Sequence, residues 1–289
     1  MQVLRAPMTF VVPLMALFTL TAATAAPEDT ALKAAVADTA RAPQSAARDQ
    51  YRHPYETLSF WGLKPRQTVL EIYPGGGYWS EILAPYAKAS GGTYAATVPD
   101  LTGASEQAVK GTESFKARFA DETKYGKVRW QTWNGKSGAL GAAGSVDIVI
   151  TARNLHNWMW TPGLLDGLLK DFNAVLKPGG ILAVEDHRAD PRQQVPEARD
   201  GYVSTAFIIA AAEKAGFKLE ASSEANANPK DTKDHPFGVW TLPPTNRKDF
   251  PAMQVSWAGR PGADKLRAPE AYQAIGESDR MTLRFRKQN

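Results

Sequence analysis

Short apolar runs alternate with longer segments of helical period along most of this chain. "QTVLEIY" (67–73), "GGTYAATV" (91–98), "KVRWQTW" (127–133), "VDIVITA" (146–152), "ILAVEDH" (181–187), "KLEASSEA" (218–225) and "RMTLRFRK" (280–287) each read as a strand. Between them, "GYWSEILAPYA" (77–87) is a short amphipathic helix, bent or ended near Pro85, and "SEQAVKGTESFKARFADETKYG" (105–126) has helical period. The clearest helix lies in "TPGLLDGLLKDFNAVLKPGG" (161–180), where Leu164, Leu165, Leu168, Leu169, Phe172, Val175 and Leu176 form one apolar face. Thr161 is placed to cap it, Pro162 suits the first helical position, and "KPGG" stops it. "VSTAFIIAAAEKAGF" (203–217) is a further helix, ending at Gly216. Strands alternating with helices predict a mainly parallel sheet with right-handed crossovers.

Two stretches break this rhythm. Residues 27–50 are rich in alanine and charge, and "SAARDQYRHPYETLSFWGL" (45–63) reads as an N-terminal helix packed on the domain, with Gly62 near its end. The connection from Asn226 to about Asp279 is unusually long for a compact domain, and long ordered insertions of this kind are usually lids or binding loops.

The first residues add a targeting expectation. Arg5 supplies a positive start, Met8 to Leu20 an apolar core, and Ala23-x-Ala25 a small-residue cleavage site, the anatomy of a secretory signal peptide. The apolar run is too short for a membrane span. The reading is a soluble, exported and most simply periplasmic protein, with no stable membrane insertion after cleavage. Absence of cysteine excludes disulfides and thiolate metal sites. A net charge of +4, evenly spread, is too mild to argue for nucleic acid. The expected division is a signal peptide (1–25), an N-terminal helical extension (26–62) and one domain (63–289) carrying a lid-like insertion (228–278).

The sharpest local signal is "TVLEIYPGGGYWSEI" (68–82), a strand entering a glycine turn and then a helix. Glycines permit close backbone approach to a ligand, and a helix start offers free N–H groups. Glu71 ends the strand, where it can accept hydrogen bonds. A glycine turn alone is weak evidence, because many tight strand–helix turns need glycine. Together with "DIVITARNLHNW" and "LKPGGILAVEDHRA", however, the stretch resembles the first, fourth and fifth strand motifs of class I S-adenosylmethionine (SAM)-dependent methyltransferases. More narrowly, the chain resembles a family of predicted exported bacterial methyltransferases through Arg52–Pro54 ("RHP"), Asn228–Pro236, Gly238–Pro244 and Glu277–Phe285. The resemblance covers about residues 45–289. It implies a Rossmann-like α/β fold with a seven-stranded sheet of order 3-2-1-4-5-7-6, the seventh strand antiparallel. It also implies SAM as cofactor, a small-molecule substrate, and ligands outside the carboxyl ends of the strands.

Carried over position by position, the resemblance assigns cofactor contacts to Glu71, Tyr73, Gly75, Gly76, Gly77, Thr97 and Asn154. Two positions depart from the family pattern. Tyr73 stands where acid-x-Gly-x-Gly-x-Gly has its first glycine, and Thr97 where an acid usually grips the ribose diol. Asp100 reads either as a substitute for that acid or as a turn residue after Pro99. The candidate catalytic residues follow the fourth and fifth strands: His156, Asp186 and His187, with a histidine as base. Arg153, Asn157, Trp158, Trp160, Arg188, His53 and His235 accompany them, each with a purely structural alternative. A second function class is an exported, non-methylating ligand- or metal-binding protein on the same scaffold, with His156, His187, His235 and carboxylates as zinc or copper ligands. Their spacing is no recognised metal signature, so no metal ligand is assigned. Lack of a Gly-x-Ser-x-Gly elbow disfavours a hydrolase.

Overall fold

The computed structural model describes residues 28–194, 196–249 and 266–288. The expected signal peptide lies outside them, as does part of the long insertion. Seven strands form one sheet of order β3-β2-β1-β4-β5-β7-β6. They are β1 (Thr68–Ile72), β2 (Thr93–Pro99), β3 (Arg129–Trp133), β4 (Val146–Ala152), β5 (Leu176–His187), β6 (Phe217–Ser223) and β7 (Arg280–Lys287). β1 to β5 pair in parallel, and β7 runs antiparallel to both β5 and β6. This is a Rossmann-like α/β fold, with the strand order expected from the sequence.

Both faces of the sheet are covered, as a parallel sheet requires. Leu70, Val149, Leu182 and Val184 point into one core, with Leu168, Phe172 and Ile208. Val69, Ile148, Ile150, Ile181 and Ala183 point into the other, with Leu58, Trp61 and Ile82. This period of two along each strand places helices α9 (Leu164–Val175) and α10 (Thr205–Lys214) on the first face. Helices α1 (Thr30–Val36), α4 (Pro54–Phe60) and α5 (Ser80–Ala89) cover the second. Each fully buried leucine or phenylalanine contributes about 1.5–3 kcal/mol. Among the described residues no helix is long and apolar enough to cross a membrane.

The other α-helices among the described residues are α2 (Pro43–Ala46), α3 (Asp49–Arg52), α6 (Glu106–Ala117), α7 (Glu122–Tyr125), α8 (Leu155–Trp158) and α11 (Pro269–Ile275). Three local expectations need correction. The single N-terminal helix is broken into α3 and α4 at His53, because a residue before proline avoids the helical region; its φ is 40°. Thr161 does not cap α9. Residues 161–164 form a turn closed by Leu164 N donating to Thr161 O, and Gly163, with φ 77°, precedes the first helical residue. "KPGG" is not a loop after α9 but lies inside β5, where the β4–β5 register shifts between Val146 and Ile148.

The described part of the long insertion is tied down. Asp231 is buried and accepts from Tyr202 Oη (2.8 Å), from the Asp279 backbone N–H (2.8 Å) and from His235 Nε2 (2.8 Å). Asn228 donates to the carbonyls of Ile275 and Glu277. Trp240 brings the insertion over α8, its ring centroid 5.8 Å from that of His156.

Candidate functional site

The carboxyl ends of β1, β2 and β4 open onto two cavities that share the turn Tyr73–Pro74–Gly75 and Arg118. The first, about 430 Å³, is polar and is walled by Glu71, Gly76, Asn154 and Asn157, with Arg48, Arg52 and Arg153. The second, about 500 Å³, is more apolar and lies between Thr97–Pro99 at the end of β2 and Gly111, Thr112 and Phe115 of α6. Tyr73 stands between them. Its backbone keeps a left-handed φ of 52°, the conformation a glycine would take there at no cost, and the residue is 54% exposed. The ring meets Trp133 edge-on at 6.4 Å.

The turn is built for close approach. Gly77 has φ 85°, and a Cβ there would sit 3.0 Å from Phe115 Cε2, so its glycine answers to the fold. Gly76 and Gly111 do not: neither has positive φ, and a Cβ on either would meet nothing within 4 Å. A glycine inside a helix costs about 1 kcal/mol against alanine, so Gly111 in α6 is unexplained by local structure. Both border the cavities.

Under the turn, Glu71 is buried and accepts on Oε2 from Ser80 Oγ (2.8 Å) and Tyr94 Oη (2.5 Å). Oε1 takes no hydrogen bond among the described residues. Burial pushes this carboxyl up to about 7 against those two donors. The native state therefore holds a proton that the unfolded chain releases near pH 4.5, and stability falls as pH rises from there to about 7. A loss of about 2 kcal/mol across that window, absent in Glu71→Gln, is expected from urea unfolding at pH 5 and pH 8.

Thr97 and Asn154 serve the frame as well as the cavities they line. Thr97 Oγ1 accepts from the Tyr73 N–H (2.7 Å), which fixes the turn to the end of β2. Asn154 Nδ2 donates to Ile72 O (3.0 Å) and Thr151 Oγ1 (3.2 Å), locking β1 to β4. Asp100 is a turn residue, accepting from the Thr102 N–H and hydroxyl.

The neighbouring strands β4 and β5 do bring His156 and His187 together, with ring centroids 4.9 Å apart. Neither they nor Asp186 line the two cavities. Asp186 Oδ1 pairs with His156 Nδ1 (2.8 Å) and accepts from the His187 N–H, and Oδ2 accepts from the His156 N–H. His187 Nδ1 faces Ser278 Oγ at 2.5 Å. Burial first, then His156 and the nearby arginines, push His187 well below its usual range, so its ring is neutral.

Donor atoms of His156, Asp186 and His187 lie within 4.8 Å of one another. Yet both Asp186 oxygens are already committed to N–H groups, and Arg153, Arg280 and Arg52 set a positive field that opposes a metal cation. His235, bonded to Asp231, is not part of this cluster. Trp158 packs in the core against Trp133 and Phe172, and Trp160 against Trp240. His53 Nδ1 faces Asn226 Oδ1 at 3.5 Å, and Arg188 pairs with Asp279 and Glu224.

Sequence reasoning named Arg153 but missed the arginine wall it belongs to. Arg52 and Arg48 both bond Glu277 through Nε (3.0 and 2.7 Å), Arg280 bonds it from β7, and Arg153 lies 3.9 Å away. Arg52 also stacks over Tyr78 at 4.4 Å. The signal was present, since "RHP" and "ESDR" carry Arg52, Glu277 and Arg280, but nothing in the sequence joined two segments 225 residues apart.

No protein-family model matches the chain, and no curated protein matches it. Among solved structures the chain is similar to a SAM-dependent methyltransferase from Aquifex aeolicus, at 21% identity over 62% of this chain and 86% of that one, with a TM-score of 0.45. It is similar to a putative sarcosine dimethylglycine methyltransferase from Galdieria sulphuraria at 14% identity, 85% and 87% coverage and a TM-score of 0.49. It is also similar to the [4+2]-cyclase SpnF at 17% identity, 86% and 83% coverage and a TM-score of 0.49. At these identities and scores they carry no argument about activity, and the fold class rests on the strand order.

Proposed function

We propose that the protein is an exported SAM-dependent methyltransferase acting on a small molecule. The observation that carries this reading is the pair of glycines, Gly76 and Gly111, that the fold does not require and that border two cavities joined at the glycine turn. An elongated ligand with one polar and one apolar half suits that pair. Thr97, Val98, Pro99 and Phe115 would hold the adenosine half, and Glu71, Gly75, Gly76 and Asn154 the methionine half. When bound, SAM supplies an electrophilic methyl group on a sulfonium.

The chain's own contribution is binding, orientation and exclusion of water. Glu71, titrating near neutrality, offers Oε1 to a cationic group. His156 and Asp186 act as positioning residues: Asp186 grips both the ring and the backbone N–H of His156 and so fixes α8, from which Asn157 reaches the polar cavity. A histidine base is not needed for this reading. Thr97 in place of an acid lowers the grip on the ribose by about 1.5–3 kcal/mol, roughly ten- to a hundredfold in affinity.

S-adenosylhomocysteine at a hundred times its dissociation constant is expected to stabilise the protein by about 2.7 kcal/mol, read as a rise in melting temperature. No shift at millimolar ligand sinks the reading. Export rests on Arg5, the apolar run and Ala23-x-Ala25. Recovery from a periplasmic fraction with Ala26 as first residue is the expected outcome, and an intact Met1 in the cytoplasm opposes it.

A further inference from the structure

The arginine wall of the polar cavity carries more positive charge than the protein neutralises. Arg48, Arg52, Arg153 and Arg280 surround Glu277 and Glu185, four cations to two anions. Arg118, the other arginine on the cavity, is matched by Glu81 at 2.6 Å. Glu71 is the one carboxylate among the described residues lining the cavity, and even fully ionised it leaves a positive charge over. Arg48, Arg52 and Arg153 all line the cavity.

Arg153 is the least satisfied of the three. Its side chain donates no hydrogen bond among the described residues, stands 3.9 Å from Glu277 and is 27% exposed. Its backbone is held in the left-handed region, φ 60°, by its N–H donating to Glu185 O at 2.7 Å. Such conformations persist where the surroundings over-determine them, often at ligand sites. Arg48 Nη2 and Arg52 Nη2 are buried without hydrogen-bond partners. Buried guanidinium N–H groups left without an acceptor are costly, and an anion supplies the missing acceptors.

The cofactor as a whole does not neutralise this charge. SAM carries one carboxylate against an ammonium and a sulfonium, so its binding adds net positive charge. Resting on the methyltransferase reading, we infer that Arg48, Arg52 and Arg153 seat an anionic group of the methyl acceptor, a carboxylate or a phosphate. The planar guanidinium fork matches either group through paired hydrogen bonds.

The test is titration calorimetry of the full chain with inorganic phosphate and, separately, succinate, each with and without saturating S-adenosylhomocysteine. One of the two anions is expected to bind with a dissociation constant below about 1 mM. It should bind beside S-adenosylhomocysteine, and weaken as salt is added. Arg153→Gln, which removes a group with no hydrogen bond to lose, is expected to lower that affinity about tenfold or more. Arg48→Gln gives a second reading, since Arg52 and Arg280 still hold Glu277. Failure of both anions to bind at about ten times that concentration overturns the inference, as does equal binding by wild type and both variants. Displacement of the anion by S-adenosylhomocysteine also overturns it, because the seat then belongs to the cofactor's own carboxylate. Anion binding without any S-adenosylhomocysteine binding upholds the anion seat and sinks the methyltransferase reading instead.

Discussion

Glu277→Gln is expected to lower stability by about 3–5 kcal/mol, the usual cost of stranding buried charge by removing one partner. Glu277 is the hub on which α3, the loop after β4 and the start of β7 meet, through Arg48, Arg52, Arg153 and Arg280. Without its charge, four guanidinium groups share Glu185 alone. Two of them, Arg52 and Arg280, are almost fully buried. Burial and the Arg153 charge already push Arg52 down to about 9, a measure of how crowded with cations the wall is. A urea unfolding curve reads the loss as a lower midpoint at unchanged slope. A change below about 1 kcal/mol would mean that the network is not a buried one.

The same carboxylate sets an acid limit. Burial works to raise Glu277, but Arg52, Arg280, Arg153 and Arg48 hold it well below the ordinary carboxylate range. A group depressed in the folded state gives its full stabilisation above its unfolded value, near 4.5, and loses it as pH falls below. Wild type should therefore lose stability steeply below pH 4.5, while Glu277→Gln loses less.

Gly76→Leu is expected to lower the affinity for S-adenosylhomocysteine by about a hundredfold while leaving stability within about 1 kcal/mol of wild type. The contrast comes from geometry. A Cβ at Gly76 meets no protein atom within 4 Å and needs no forbidden φ, so the backbone accepts a side chain there. The space it enters is the polar cavity. Loss of about 2.7 kcal/mol of binding with little loss of stability separates a glycine kept for a ligand from one kept for a turn. Gly77→Leu is the structural counterpart, since its Cβ runs into Phe115 and its φ is 85°.

Most of the sheet was legible because strand and helix periods are local. "VDIVITA" and "RMTLRFRK" match β4 and β7 residue for residue. The errors lay where a neighbour overrides propensity: Pro54 breaks the N-terminal helix, Gly163 displaces the Thr161 cap, and the β4–β5 pairing draws "KPGG" into a strand. The glycine turn was legible for the same reason as the strands, and so was the meeting of His156 with His187, which follows from adjacent strands. The arginine wall was not. It joins α3 to the start of β7 across the whole chain, and a lone arginine in sequence gives no sign of whether it ends in solvent or against a buried carboxylate. Tyr73 was visible as a departure, but its place between two cavities was not.

Titration of S-adenosylhomocysteine into the purified protein by calorimetry tests the central claim most directly. Micromolar binding that is lost in Gly76→Leu is the expected result. Absence of heat at millimolar ligand, in a protein that is folded by circular dichroism, would contradict it and would leave the glycine turn as architecture for some other ligand.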